Sequence, residues 1–156
     1  MTISSASLPA ERPSRTDRAH ATLFPYALAV LIATAAVHLI IVLANNRITL
    51  LTTLPLLVIA LGYAVYLMTY GRALGRVRYG RLVAHALTYA IVNTGYLLHA
   101  YVLIASASPA IQGDGHLALN AGWFGATFGM AGFWGIGLIS HGLAALRERG
   151  FEARRA

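Results

Sequence analysis

The chain has 156 residues, of which 58% are hydrophobic and only 11% are charged. Because an ordinary soluble domain carries about 25% charged residues, this composition excludes a soluble globular protein and also excludes disorder over the whole chain. The net charge of +7 comes from arginine without lysine, and the absence of cysteine excludes disulfides, thiolate metal sites and cysteine nucleophiles.

Four long apolar segments follow one another along the chain, and none contains Asp, Glu, Lys or Arg. They comprise residues 23–44, 49–70, 82–105 and 119–146. A helix of about 20 apolar residues, at about 1.5 Å rise per residue, crosses a bilayer. The sequence therefore predicts an all-α integral membrane four-helix bundle of two antiparallel hairpins. The predicted parts are a flexible cytoplasmic tail at 1–21, a transmembrane hairpin at 22–71, a basic cytoplasmic loop at 72–81, a second transmembrane hairpin at 82–147 and a basic cytoplasmic tail at 148–156.

The arginines lie almost entirely on one side of the predicted bundle. Eleven of the twelve precede the first segment, occupy the middle loop or follow the last segment, and only Arg47 lies in an opposite loop. The positive-inside rule then predicts a multi-pass inner-membrane protein with both termini in the cytoplasm. Since topology and anionic lipid already account for the basic residues, no nucleic-acid partner is expected.

A polar stripe follows one face of the third segment. At 100° per residue, a sector about 120° wide contains five polar side chains, which are His85, Tyr89, Asn93, Tyr96 and His99. Counting residues along the segments places His85 and His141 near the cytoplasmic boundary and His38 and His99 in the outer third. We therefore predict three groups: an inner polar site (His85, Tyr89, Trp134, His141), an outer pair (His38, His99), and a clasp between helices (Asn93, Tyr96).

The fourth segment is rich in glycine, and Gly125 and Gly129 form a GxxxG pair. Small residues let helix backbones approach closely in lipid. The pattern predicts a tightly packed, buried helix that uses Gly125, Gly129, Gly132, Gly135 and Gly137 for packing. Packing within one chain is favoured over a homo-oligomer interface.

Residues 81–146 resemble the two-transmembrane (2TM) domain family. The similarity rests on Arg81, His85, Tyr89 and the Val92–Asn93 pair, and on the string from Trp134 to Leu138 followed by His141, with Phe133 where the family has glycine. The resemblance implies a membrane hairpin of bacterial signalling proteins with no enzymatic activity of its own, acting as a sensor or accessory subunit through a membrane signalling partner.

Two other functions remain open at this point. Histidines at two depths in a four-helix bundle are also typical of bis-histidine ligation, so haem b is a possible cofactor and the protein a transmembrane electron carrier. The other alternative is a small transporter or channel, although a proton-coupled transporter usually needs an intramembrane carboxylate. The Asp114–Gly–His116 sequence offers only two ligands, so no metal site is predicted.

Overall fold

Four long helices make up most of the described chain, and each is long and apolar enough to cross a membrane. The structure is a computed structural model that describes residues 15–77, 79–114 and 118–152, with side chains described between residues 21 and 147. Within that range the four candidate membrane spans are Ala21–Leu43, Leu50–Leu74, Gly80–Ala105 and Ala121–Arg147. The predicted all-α chain with four long apolar helices is therefore confirmed.

The second and fourth spans are each built from more than one helical element. The elements in chain order are α1 (Arg15–Leu43), α2 (Leu50–Thr53), α3 (Pro55–Leu74), α4 (Gly80–Ala105), α5 (Ala121–Phe124), a π-helical segment π1 (Gly125–Gly129) and α6 (Met130–Glu152). Thus α2 and α3 form the second span, and α5, π1 and α6 form the fourth.

The helices extend beyond the limits predicted from hydrophobicity. The first helix already begins at Arg15, within the segment predicted as a tail, and α6 continues to Glu152. The connection between α3 and α4 is confined to residues 75–79, so it is shorter than the predicted 72–81 loop. Polar residues at a span boundary can continue a helix into water, which an apolar window cannot detect. Residues 1–14 and 153–156 of the predicted tails lie outside the described residues.

Two asparagines end the first helix. Asn45 and Asn46 both have left-handed backbone conformations, with φ of 55° and 59°. The Asn46 N–H then donates to the carbonyl of Ile41 at 2.8 Å, which satisfies a carbonyl that the helix leaves unpaired. Asparagine tolerates this conformation better than most residues, so this pair reverses the chain within a few residues.

The second span begins with a capped short helix that continues into α3. Thr49 caps α2 through its side chain, which accepts a hydrogen bond from the Thr52 N–H. Pro55 then occupies the first turn of α3, the position in a helix that proline favours, and it marks the boundary between the two helices because it has no N–H to donate. At the opposite end, a Cβ on Gly80 would overlap the backbone of Leu74. Only glycine fits that close approach of α3 to the start of α4.

Helix α4 is the centre of the structure. Helices α1 and α3 pack against each other and against α4, whereas α6 and π1 pack against α4. The buried side chains between α1, α3 and α4 include Val37, Ile41, Ile59, Val92 and Tyr96. The architecture is thus a three-helix core with a fourth span attached to α4.

The fourth span is less buried than its glycine content suggested. None of the residues in its most apolar window is buried, compared with 33% of the corresponding window in the third span. Trp123, Ala126 and Thr127, near the start of the span, are buried. For the rest of the span the prediction of a tightly packed, buried helix is wrong in the single chain, because α6 packs mainly on α4. Large apolar side chains such as Phe133 and Leu50 are 75% and 85% exposed, as is expected of a surface that lipid covers.

Candidate functional site

Three helices contribute a polar cluster near the connection between α3 and α4. The hydroxyl of Tyr63 on α3 lies 3.1 Å from Nδ1 of His85 on α4. The ring of His141 on α6 packs on His85, with 4.9 Å between ring centroids and 48° between ring planes. We call Tyr63, His85 and His141 the inner cluster. It brings together two of the four residues predicted for the inner site and adds Tyr63.

Glycines and one hydrogen bond set the contact between α6 and α4. A Cβ on Gly137 would lie 3.3 Å from Cε1 of His85, and one on Gly135 would lie 3.8 Å from the hydroxyl of Tyr89. That hydroxyl donates to the carbonyl of Ala131 at 3.3 Å. Tyr89 therefore joins α4 to α6 one helical turn from His85. At Gly137 the missing side chain permits the close approach of α6, whereas a Cβ on Gly135 would make an ordinary van der Waals contact.

The other three predicted packing glycines do not pack within the chain. A Cβ on Gly125, Gly129 or Gly132 would have no neighbouring atom within 4 Å. These three glycines lie on the side of the fourth span that faces away from α4. Of the five glycines predicted to serve helix packing, the structure places Gly135 and Gly137 against α4 and leaves the other three without a neighbour in the described chain.

An apolar cleft of about 350 Å³ opens between α3, α4 and α6. Both α3 and α6 pack on α4 but have little contact with each other, which leaves this space between them. Its lining residues are Ala60, Tyr63, His85, Thr88, Phe133, Trp134, Ile136 and Gly137. Trp134, predicted in the inner site, thus forms a wall of this cleft. Nε2 of His85 is buried and has no hydrogen-bond partner among the described residues.

A second polar cluster lies at the opposite end of the core. Nδ1 of His38 on α1 lies 3.1 Å from Nδ1 of His99 on α4, and Nε2 of His99 lies 3.0 Å from Oδ1 of Asn46. The indole N–H of Trp123 donates to the backbone carbonyl of Asn46 at 3.0 Å. We call His38, His99, Asn46 and Trp123 the outer cluster. Through Asn46 it joins α1, α4 and the start of the fourth span.

The amide oxygen of Asn46 determines which atom donates and which accepts in each hydrogen bond of the outer cluster. With the amide oxygen of Asn46 facing it, Nε2 of His99 donates, so Nδ1 of His99 accepts from the Nδ1–H of His38. Nε2 of His38 is then a bare acceptor, and it is buried without a hydrogen-bond partner. The hydroxyls of Thr34 and Tyr96 are also buried and unpaired, so the cluster ends in polar groups that the described residues do not satisfy.

The close approach of α1 to α4 depends on Gly95. A Cβ at this position would lie 2.6 Å from Nε2 of His38 and 2.9 Å from Cγ2 of Thr34. Real side chains do not reach such distances, so His38 occupies space that exists only because residue 95 has no side chain. Tyr96 packs edge-on against the same imidazole, with ring centroids 4.7 Å apart.

Asn93 and Tyr96 do not form the predicted clasp between helices. The amide nitrogen of Asn93 donates to the carbonyl of Tyr89 at 2.9 Å, within α4 itself, and its amide oxygen is buried without a partner. The hydroxyl of Tyr96 is likewise unpaired. A side-chain amide can bond to the carbonyl four residues earlier in its own helix, and this local bond replaces the expected bond to another helix.

Neither histidine pair fits a haem iron as an axial pair. An iron between two imidazoles needs about 2 Å to each nitrogen, whereas the facing nitrogens of His38 and His99 are 3.1 Å apart and directly hydrogen-bonded. In the inner cluster, the contact between the rings of His85 and His141 leaves no space for a macrocycle between them. Among the described residues, no group of three or more His, Cys, Asp or Glu side chains is placed to hold a metal.

Several residues of these clusters were not identified from the sequence. Tyr63, Tyr66 and Tyr70 recur with spacings of three and four residues, which puts them on one helix face, and this was the available signal for Tyr63. Tyr66 stacks on Tyr26 at 3.9 Å between centroids, and the hydroxyl of Tyr26 bonds to that of Thr88. No pattern in the sequence distinguishes Asn46 from Asn45, or Trp123 from Trp134, as the residue that joins the helices.

No known protein family, curated protein or solved structure matches this chain. The resemblance of residues 81–146 to the 2TM domain stays a prediction from its motif.

Proposed function

We propose that this chain is a four-span inner-membrane protein that acts as a non-enzymatic sensor or accessory subunit through a membrane partner. The observation that carries the proposal is the way the fourth span is held. Helix α6 packs on α4 through the Tyr89–Ala131 hydrogen bond, the close contact of Gly137 with His85, and the tilted ring contact of His141 with His85. One such interface allows α6 to change position without disrupting the three-helix core.

The inner cluster is placed to bias that position. His85 is bonded to α3 through Tyr63 and packed against α6 through His141. A change in the hydrogen bonding of His85 therefore acts on two neighbouring helices at once. Because α6 continues as one helix to Glu152, its displacement would carry to the arginine-rich end of the chain, where a partner would respond. The resemblance to 2TM hairpins of signalling proteins favours the same function.

The orientation proposed for the protein follows from charge. Eleven arginines and four carboxylates lie on the side of the termini, whereas Arg47 and Asp114 are the only charged residues of the opposite loops. The positive-inside rule places the side with excess arginine in the cytoplasm. Reporter fusions after residue 112 and at the C-terminus should then report opposite sides of the membrane, and identical readings would contradict the four-span arrangement.

A photocrosslinking experiment tests the need for a partner. A photoreactive amino acid at Ile139, on the exposed face of α6, is compared in native membranes with one at Leu39 on α1; these side chains are 65% and 59% exposed. We expect a discrete adduct with a second protein from Ile139 only. An adduct with another copy of this chain would make the protein a homo-oligomer. Lipid adducts alone from both positions would refute the partner-dependent function.

A further inference from the structure

We propose that the cleft between α3, α4 and α6 binds an acyl chain of an anionic phospholipid, with the phosphate held by arginines at the ends of these same helices. The proposal goes beyond the partner-dependent function and depends only on the protein being in a membrane. The cleft has a volume of about 350 Å³, which is within the range of about 300–1,000 Å³ usual for ligand sites.

The lining of the cleft fits an alkyl chain. The walls are formed by apolar groups such as Ala60, Phe133 and Ile136, and the hydroxyl of Tyr63 is already bonded to His85. Phe133 and Ile136 are 75% and 65% exposed, so α6 presents this surface outward to the bilayer. Among the lining residues, the one buried side-chain polar atom without a partner is Nε2 of His85. The exposed walls are therefore apolar, and they suit an alkyl chain better than a polar solute, which would need hydrogen-bond partners there.

Each of the three helices around the cleft carries an arginine at the same end of the bundle. Arg72 lies in the last turn of α3, Arg81 in the first turn of α4, and Arg147 near the end of α6. All three are exposed. Among the described side chains the only carboxylate is Asp114, in the loop at the opposite end. Among the described side chains, these three guanidinium groups therefore have no carboxylate partner.

Arg81 is held in place for such a contact. Its Nε donates to the carbonyl of Gly71 at 3.2 Å, and its guanidinium lies close enough to Gly75 that a Cβ there would be 3.3 Å from Nη2. The Nη groups make no hydrogen bond to other described residues. A guanidinium fixed through Nε with free Nη groups is suited to bind phosphate oxygens.

The spacing along the helices matches one lipid leaflet. At about 1.5 Å per residue, the cleft residues lie about 6 to 21 Å along the helix axes from the three arginines. One leaflet contributes about half of the roughly 30 Å hydrocarbon thickness. A phospholipid whose phosphate meets the arginines would therefore place its acyl chain at the depth of the cleft. The cleft has room for an acyl chain, and the three arginines at the end of the same helices have no described carboxylate partner. This combination favours an anionic lipid over a zwitterionic one.

Lipid binding to the purified full-length chain tests this directly. The probes are phosphatidylglycerol and phosphatidylcholine with identical acyl chains, and the measurements are native mass spectrometry of the retained lipid and the midpoint of thermal unfolding in detergent. We expect phosphatidylglycerol to bind more tightly and to raise the midpoint further. Each arginine near an anionic headgroup contributes about fivefold in affinity, so replacing Arg72, Arg81 and Arg147 with Gln should abolish the preference. Arg47→Gln, at the opposite end, is the matched control and should leave it intact.

A second variant tests the cleft independently of charge. Ala60→Phe fills the cleft and should weaken the retention of both lipids at least about tenfold while keeping their ratio, whereas Ala36→Phe, on an exposed face of α1, should not. Equal binding of the two lipids, loss of preference in Arg47→Gln, or unchanged retention in Ala60→Phe would each overturn the proposal. If the triple arginine variant fails to fold, Arg147→Gln alone and Ala60→Phe decide the question. Because no partner is present, this assay can fail while the partner-dependent function stands, and the reverse also holds.

Discussion

Replacing Gly95 with alanine should disrupt the outer cluster. The added Cβ would lie 2.6 Å from Nε2 of His38 and 2.9 Å from Cγ2 of Thr34. The imidazole has little room to move, because it is hydrogen-bonded to His99 at 3.1 Å and packed against Tyr96. Either the ring leaves the cluster or α1 moves away from α4.

The expected loss of stability combines three effects. Overpacking in a filled core costs about 1–3 kcal/mol, and loss of a hydrogen bond within the membrane adds about 0.6–2 kcal/mol. Alanine is favoured over glycine in a helix by about 0.5–1 kcal/mol, which acts in the opposite direction. The net expectation for Gly95→Ala is a destabilisation of about 1–4 kcal/mol.

Unfolding in mixed detergent–SDS micelles, followed by circular dichroism, measures this effect. Gly62→Ala is the matched control, because Gly62 lies inside α3 and a Cβ there would meet no atom within 4 Å. We expect Gly62→Ala to be neutral or slightly stabilising. In a His38→Ala background, Gly95→Ala should cost less than in the native chain, because the clash with the imidazole is gone and only the contact with Cγ2 of Thr34 at 2.9 Å remains. If Gly95→Ala is as mild as Gly62→Ala, the packing of His38 against α4 described above is incorrect.

Three further predictions concern the clusters. Asn46→Ala should destabilise the fold by about 1–3 kcal/mol in the same assay, because it places alanine at a positive φ and removes the acceptor for His99; Asn46→Gly should cost less, and equal losses would show that backbone conformation is unimportant there. Asn93→Leu should leave the stability unchanged or raise it, because its amide oxygen has no partner; a large loss would reveal a hydrogen bond to another helix. The absorption spectrum of the purified protein should lack a Soret band, and a Soret band with sharp reduced α-bands would instead establish a haem protein.

The four spans were predictable because the relevant signal is local. Each apolar segment is long enough to cross a bilayer and free of charge, and hydrophobicity alone selects it. The two-depth arrangement of the histidines also follows from counting residues along antiparallel helices, and the structure places His85 beside His141 and His38 beside His99. The orientation in the membrane is a separate prediction from arginine placement, which the topology experiment tests.

The partners of those histidines were not predictable, because they depend on how the helices rotate and tilt. The chain has eight tyrosines, and Tyr63 can be recognised as the partner of His85 only when it is known which side of α3 packs against α4. For Asn93, mid-membrane depth indicated that its amide needs a partner but did not show that the partner lies in its own helix. The glycine content of the fourth segment similarly indicated that helix backbones can approach, but not which glycines face a neighbour: Gly135 and Gly137 face α4, whereas Gly125, Gly129 and Gly132 face no other part of the described chain.

The contact between Asn46 and Trp123 has a consequence for the order of assembly during synthesis. The carbonyl and the indole that pair at the outer end are separated by 77 residues. At a synthesis rate of about 5–20 residues per second, the first reversal of the chain is made about 4–15 s before the tryptophan that completes it. During that interval the first hairpin exists without the hydrogen bond from Trp123 to Asn46. The outer end of the bundle is therefore completed only when the fourth span has been synthesised.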